Sequence, residues 1–206
     1  MPLSVAYLER MNDQPGRPHD EREWAEQIRS GSYSAFEVLF STYYEELVAF
    51  VRSLVHRHDV AEELVQDVFF NIWRQRHQWR PRGSLRAYLY GAARNQSYMY
   101  ARHRRVERRW QARQALEAAV PEPPRADAGD AVEQAEVDAA VRRAIAAMPE
   151  RRRAVFTLSR QHGLTYAEIA AVLEISVNTV ENHMAKALKT LRQHLAPFLS
   201  ILLALL

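Results

Sequence analysis

Between residues 74 and 113 the chain carries Arg74, Arg76, Arg80, Arg82, Arg86, Arg94, Arg102, Arg104, Arg105, Arg108, Arg109 and Arg113, against one acid, Glu107. Guanidinium groups at this density are suited to gripping phosphate oxygens. Trp79, Tyr88, Tyr90, Tyr98, Tyr100 and Trp110 interleave with them. A solvated helical face would account for the arginines but has little reason to carry so many flat rings. A surface that stacks unpaired bases does. The sign of the charge then reverses: Glu117, Glu122, Asp127, Asp130, Glu133, Glu136 and Asp138 face a single Arg125. A polyanion-binding surface followed by a solvated connector fits this pattern.

A second group with chemical potential lies in LTYAEIAAVLEISVNTVENHMAKALKTLR, residues 164–192. Thr165 and Glu168 make the T-x-x-E of a capping box ahead of Ile169, Ala170, Val172 and Leu173. Ser176 is placed to cap a second helix, whose apolar positions are Val177, Val180, Met184, Leu188, Leu191 and Leu195. This reads as a helix-turn-helix. Opposite the apolar stripe lie Asn178, Thr179, Glu181, Asn182, Ala185, Lys186, Lys189 and Arg192. Amides and carboxylates early in such a helix can read base edges, and the cations further along can meet phosphates. A helical hairpin that packs only against protein is the plainer alternative.

In VAEELVQDVFFNIW, residues 60–73, a helical wheel places Val60, Leu64, Val65, Val68, Phe69 and Ile72 on one arc. Glu62, Glu63, Gln66, Asp67 and Arg74 share the other. Phe70 falls among the polar positions. Either it is an exposed ring on a protein-docking face or tertiary packing buries it; the wheel leaves both open.

Enzymatic patterns are weak. His56, His58 and Asp59 cluster, but residues two apart diverge on a helix. There is no H-E-x-x-H, no glycine-rich phosphate loop and no G-x-S-x-G. The chain has no cysteine, which excludes thiolate chemistry and cysteine-ligated zinc and fits a reducing cytoplasm. The N-terminus does not read as a signal peptide. The apolar run PFLSILLALL, residues 197–206, is shorter than the roughly 20 residues that span a bilayer.

These groups must be positioned by helices. Glycine is scarce and no period-2 apolar run is convincing, so an all-α fold of two small helical domains is expected, with 206 residues to build them. Residues 1–20 read as a flexible leader and 21–113 as a first helical domain. Residues 114–131, rich in proline and small residues, read as a flexible linker. Residues 132–196 read as the helix-turn-helix domain and 197–206 as an apolar tail. In the first domain Phe36, Phe40, Tyr43, Leu47, Phe50 and Leu54 form one stripe expected to be buried. A break is expected at residues 56–59, with Asp59 as N-cap of the following helix. Residues 79–84, WRPRGS, read as a loop. In the second domain the first helix should end at the Met148-Pro149 step, and the next at Gly163.

Taken together, these segments resemble the sigma-70 family, in its short extracytoplasmic-function (ECF) group. AEELVQDVFFNIW is similar to that group's region 2.2. RGSLRAYLYGAARNQSYMYARHRRVERR is similar to regions 2.3 and 2.4. The stretch from Met148 to Arg192 is similar to region 4. The resemblance implies a protein without bond-making chemistry, cofactor, metal or small-molecule substrate, working in the cytoplasm on core RNA polymerase and promoter DNA and held by an anti-sigma factor. It implies that Glu63, Gln66, Asp67 and Phe70 meet polymerase. Trp79, Arg82, Ser84, Asn95, Tyr98 and Arg102 would open and hold the −10 element. Asn178, Thr179, Glu181, Asn182 and Lys186 would read the −35 element. A stand-alone helix-turn-helix regulator that never meets polymerase is the alternative, and the docking helix counts against it. A purely protein-binding adaptor is a third, and the arginine-aromatic segment counts against that. For the tail, three fates stand: extension of the last helix and return onto the second domain, docking on an inhibitor, or, without direct insertion, adsorption to a membrane surface.

Overall fold

The computed structural model describes the backbone of residues 17–115 and 134–204, and side-chain surroundings for 21–107 and 140–195. Among the described residues there are eight α-helices and no strand. They are α1 Arg17–Arg29, α2 Tyr33–Val55, α3 His58–Arg74, α4 Leu85–Ala115, α5 Gln134–Ala146, α6 Glu150–Arg160, α7 Tyr166–Leu173 and α8 Val177–Ala204, with a 3-10 turn at Arg76–Gln78. The expected linker, apart from residues 114 and 115 at its start, lies outside the described residues.

α1 begins inside the expected leader. Pro18 sits in its first turn, where proline's missing N–H is no loss; residues before Arg17 are outside those described. The turn to α2 uses Gly31 at φ +97°, a left-handed conformation open to glycine. Ser32 then caps α2 by accepting from the Ala35 N–H. The buried face of α2 is broader than the expected stripe and rotated from it. It consists of Ala35, Leu39, Tyr43, Leu47, Val48, Phe50 and Val51, while Phe36 and Phe40 are half-buried and Leu54 is exposed. The break at 56–59 is present, with His56 in the left-handed region closing α2. Asp59 is not the cap: the N-cap is Arg57, two residues earlier, so α3 starts at His58 and Asp59 lies in its first turn, paired with the Arg57 side chain. That partner holds the Asp59 carboxyl below its ordinary range.

All six apolar positions expected on α3 are buried. In the second half, Met148 is buried just before Pro149 and α6 starts at Glu150. Both arms of the capping box on α7 form: Thr165 Oγ1 accepts from the Glu168 N–H at 3.3 Å, and Glu168 Oε2 accepts from the Thr165 N–H at 2.9 Å. Glu174 in the left-handed region ends α7, and Ser176 accepts from the Thr179 N–H to start α8. The apolar tail continues α8 through Pro197 to Ala204. The surroundings of its side chains lie outside the described residues.

The two halves pack on each other. α4 lies against α2 and α3 on one side and against α7 on the other, and α8 packs on α5, α6 and α7. One apolar cluster runs through both, from Tyr43, Leu47, Phe69 and Tyr90 to Val155, Ile169 and Met184. Burial of each such aliphatic or phenyl side chain is worth about 1.5–3 kcal/mol.

The start of α4 is held by two side chains from different parts of the chain. Ser84 Oγ accepts from the Ala87 N–H at 3.1 Å, and Glu21 Oε2 from the Leu85 N–H at 3.2 Å. The other Glu21 oxygen accepts from the buried Tyr43 hydroxyl. One carboxylate thus ties α1, α2 and α4. We expect Glu21→Ala to destabilise the protein by about 1–3 kcal/mol, because two buried donors lose their acceptor, and Glu21→Gln to cost less. Urea melts check this; a loss of only a few tenths for Glu21→Ala would refute it.

Candidate nucleic-acid interface

On α3 the ambiguity over Phe70 is settled: the ring is 60% exposed. Glu63, Gln66 and Asp67 are exposed beside it. The Arg74 guanidinium lies 5.6 Å from the Phe70 ring centre and donates to Asn71 Oδ1, which holds the ring's outer edge next to a cation. Gln66 Nε2 reaches the Tyr44 hydroxyl at 3.4 Å. The face is apolar at one point and acidic-amide around it.

The residues expected to handle the −10 element do not form one surface. Trp79 is 5% exposed and packs edge-on to Tyr88 at 5.9 Å, so its ring is not free to stack on a base. Its Nε1 is buried without a partner. Trp79 and Asn95 line a cleft of about 350 Å3 between the end of α3 and the first half of α4, with Asn71, Gln75, Tyr88 and Met99. That volume is at the small end of ligand clefts. Its amide-rich wall presents paired donors and acceptors of the kind that read base edges. Arg82 is exposed at the loop tip. Tyr98 is 46% exposed, with the Arg94 guanidinium 4.6 Å from its ring centre and its hydroxyl 3.5 Å from Glu150. Arg102 is exposed one turn on.

The interleaved rings have a different role from the one their spacing suggests. Trp79 and Tyr90 are buried, Tyr88 and Tyr100 half-buried, and among those described Tyr98 alone is exposed. They build the core under the basic helix. Sequence reasoning missed the amides Asn71, Gln75, Gln78 and Gln96 of the cleft. Their signal was a run of amides flanking Trp79, without periodicity to mark it.

On α8, Asn178, Glu181, Asn182 and Lys186 are exposed together at the N-terminal half. Thr179 is half-buried and its hydroxyl is shared with Ser176 Oγ at 2.8 Å, so it serves the cap. Arg151 and Arg152 of α6 add positive charge beside this face. Burial first, then the charges of Lys186, Arg152 and Arg151, push the His183 imidazole below its ordinary value. Arg152 also donates to Thr190 Oγ1 at 3.2 Å. The run ERRR was the overlooked signal.

With this geometry in view, comparison with known proteins decides the family. Residues 39–107 match the family model for sigma-70 region 2, and residues 138–191 match that for sigma-70 region 4. The chain belongs to the sigma-70 family. Its relatives include ECF sigma factors: it is 28% identical over 190 residues to the ECF RNA polymerase sigma factor RpoE of Cereibacter sphaeroides, covering 86% of this chain and 97% of that one. It is 26% identical over 190 residues to the RNA polymerase sigma-H factor of Pseudomonas aeruginosa, covering 87% and 95%. In fold this sigma factor is similar to CnrH solved with the cytosolic domain of CnrY, with a TM-score of 0.60, 24% identity and coverage of 87% and 99%. It is similar also to RpoE of Bartonella quintana solved with the anti-sigma factor NepR, with a TM-score of 0.53, 24% identity and coverage of 78% and 96%. Among the described residues no helix is long and apolar enough to cross a membrane, and no cluster of three or more His, Cys, Asp or Glu residues could hold a metal.

Where region 2 meets region 4, the His162 ring sits edge-on to Phe50 at 5.3 Å and to Tyr90 at 5.5 Å. Its Nδ1 lies 3.4 Å from the Tyr90 hydroxyl. Arg86 of α4, salt-bridged to Glu46 of α2, is the charge beside it, and Arg52, His56 and His58 line the cleft beyond. Burial first, then the Arg86 charge, pulls the His162 pKa down to about 4, while burial pushes the Tyr90 phenol up. Once unfolded, the imidazole binds protons at a higher pH than the folded one, so this contact loses stability as pH falls from about 6.5 toward 4. We expect His162→Phe, which keeps a ring and removes the titration, to flatten that part of the stability profile. Urea midpoints measured from pH 7 to pH 4 test this; identical slopes in both proteins would contradict it.

Proposed function

We propose that this sigma factor binds core RNA polymerase through the exposed face of α3, reads a −35 element with α8, and holds an opened −10 element with the cleft and the exposed arc of α4. The observation that carries the reading is the exposed Phe70 beside Glu63, Gln66 and Asp67, on a helix whose other side is fully buried. A ring left in water among acids and an amide is costly without a partner, and aromatic anchors dominate protein interfaces. A stand-alone regulator would have no use for it.

On the DNA side, opening a duplex costs on the order of 1.4 kcal/mol per base-pair step. Each captured base returns roughly 1–3 kcal/mol by stacking. A few captured bases therefore hold a short bubble. Tyr98, exposed and backed by Arg94, offers the stacking face, and Arg102 neutralises the strand. Trp79 and Asn95 serve the cleft wall, where a flipped base is read by its edges. Arg82 at the loop tip and Ser84 at the start of α4 complete the −10 set. On α8, Asn178, Glu181 and Asn182 face bases, Lys186 faces phosphate, and Thr179 fixes the helix start. In this reading the protein makes no bonds itself and works in the cytoplasm with polymerase. An anti-sigma factor is its expected inhibitor, in keeping with the solved relative bound to NepR.

Two outcomes are expected. Asp67→Arg with Phe70→Ala lowers affinity for core polymerase by about 30-fold or more, as for a hot-spot residue worth at least about 2 kcal/mol; unchanged affinity of the folded double variant in a fluorescence titration would sink the docking assignment. Tyr98→Ala or Arg102→Ala slows bubble formation without changing −35 binding, read by permanganate footprinting. A bubble formed equally fast by variant and wild type would remove these residues from the melting role.

A further inference from the structure

A second cleft, of about 540 Å3, lies between one face of α1 and the loop that runs into α4. Arg22, Ala25, Glu26 and Arg29 supply the α1 wall, at the three- and four-residue steps that bring side chains onto one helix face. Pro81, Gly83 and Leu85 supply the other. Arg80 borders both this cleft and the one at Trp79 and Asn95, so the two share a rim there.

The cations of this cleft are uncommitted. Arg22, Arg29 and Arg80 make no hydrogen bond or ion pair among the described residues. Arg29 is half-buried even so. Arg86, also half-buried, has by contrast the Glu46 carboxylate and two backbone carbonyls. A partly desolvated guanidinium without such oxygens is costly until an anion supplies them. Two acids border the cleft. Glu21 is taken by the Leu85 N–H and the Tyr43 hydroxyl, while Glu26 stands exposed at the rim. Ser84 is taken as well, by Glu168 and the Ala87 N–H. What is left to meet a ligand is three forked donors over a floor of Ala25 and Leu85, both buried. Forked donors spaced along a groove suit the successive phosphates of a nucleic-acid strand.

We propose that this cleft holds the phosphates of the nucleotides next to the flipped base. A single strand then runs from the arc of Tyr98 and Arg102 through the cleft at Trp79, past Arg80 and onto α1. The inference rests on the reading of the Trp79 cleft as a base site and gives the same strand a further contact. Its α1 wall precedes residues 39–107, the segment that matches sigma-70 region 2. The contact is to phosphate, so it adds affinity without choosing a sequence.

The probe is fluorescein-labelled single-stranded DNA of random sequence, in lengths from about 4 to 16 nucleotides, titrated by anisotropy with the full-length protein. Affinity should rise with length. Arg22→Gln with Arg29→Gln should leave the shortest strands unaffected and weaken the longest about three- to tenfold, as for two exposed ion pairs. For the longest strands the slope of log affinity against log salt should shrink by roughly 1.4, at roughly 0.7 per phosphate contact. Glu26→Gln should tighten binding of the longest strands, because it removes a like charge from the rim. Arg160→Gln, at an exposed position on α6, should leave the length dependence unchanged. A second measurement does not rely on these variants folding. The chain has no cysteine, so photo-crosslinkers can be placed on Glu26→Cys and Met99→Cys, one at each cleft. Their adducts should fall on neighbouring nucleotides of one strand. A length dependence identical in wild type and the double variant, an equal loss at every length, no binding by wild type at any length, or adducts on separate strands would each overturn the proposal. If these results hold but the wild type neither binds core polymerase nor supports promoter-dependent transcripts, the strand path stands and the sigma-factor reading fails.

Discussion

A helix that begins in a loop leaves backbone N–H groups without partners, and the beginning of α4 is where this chain spends its carboxylates. Glu21 serves the Leu85 N–H and the Tyr43 hydroxyl; Ser84 serves the Ala87 N–H and is itself held by Glu168. Three sequence-distant segments thus converge on one helix end. The direction of α4 follows from it, and with that direction the positions of the cleft at Trp79 and Asn95, of the exposed Tyr98 and Arg102, and of the arginines that face region 4.

The same end explains how charge is divided along the basic segment. Arginines that point inward, Arg86 and Arg94, meet carbonyls and a carboxylate of the protein; Arg82 and Arg102 point outward. Burial of Arg86 works against its charge, yet Glu46, Tyr90 and Glu168 more than offset it and hold its pKa above the ordinary value.

Much of this was legible in the sequence because local rules govern it. The capping box at Thr165 and Glu168, the Ser176 cap and the 3.6-residue periodicity of α3 are decided within one or two turns, and each formed as read. Errors arose where distant contacts decide. Asp59 has the side chain of a cap, but it pairs with Arg57, and the cap position falls two residues earlier, at Arg57 itself. Trp79 and Tyr90 looked like base-stacking rings and are core, because burial depends on α2 and α3 packing over them. Leu54 sits on the apolar stripe but past the end of the packed surface. The contact between the regions could not be read at all: Ser84 and Glu168 are 84 residues apart, and no local pattern links them.

The central claim is that this protein directs RNA polymerase to promoters. Run-off transcription with purified core polymerase, with and without the full-length protein, on a library of bacterial upstream sequences tests it most directly. The account predicts transcripts with defined start sites that require the protein and share two sequence elements at fixed spacing. Transcription no different from that of core polymerase alone would contradict it.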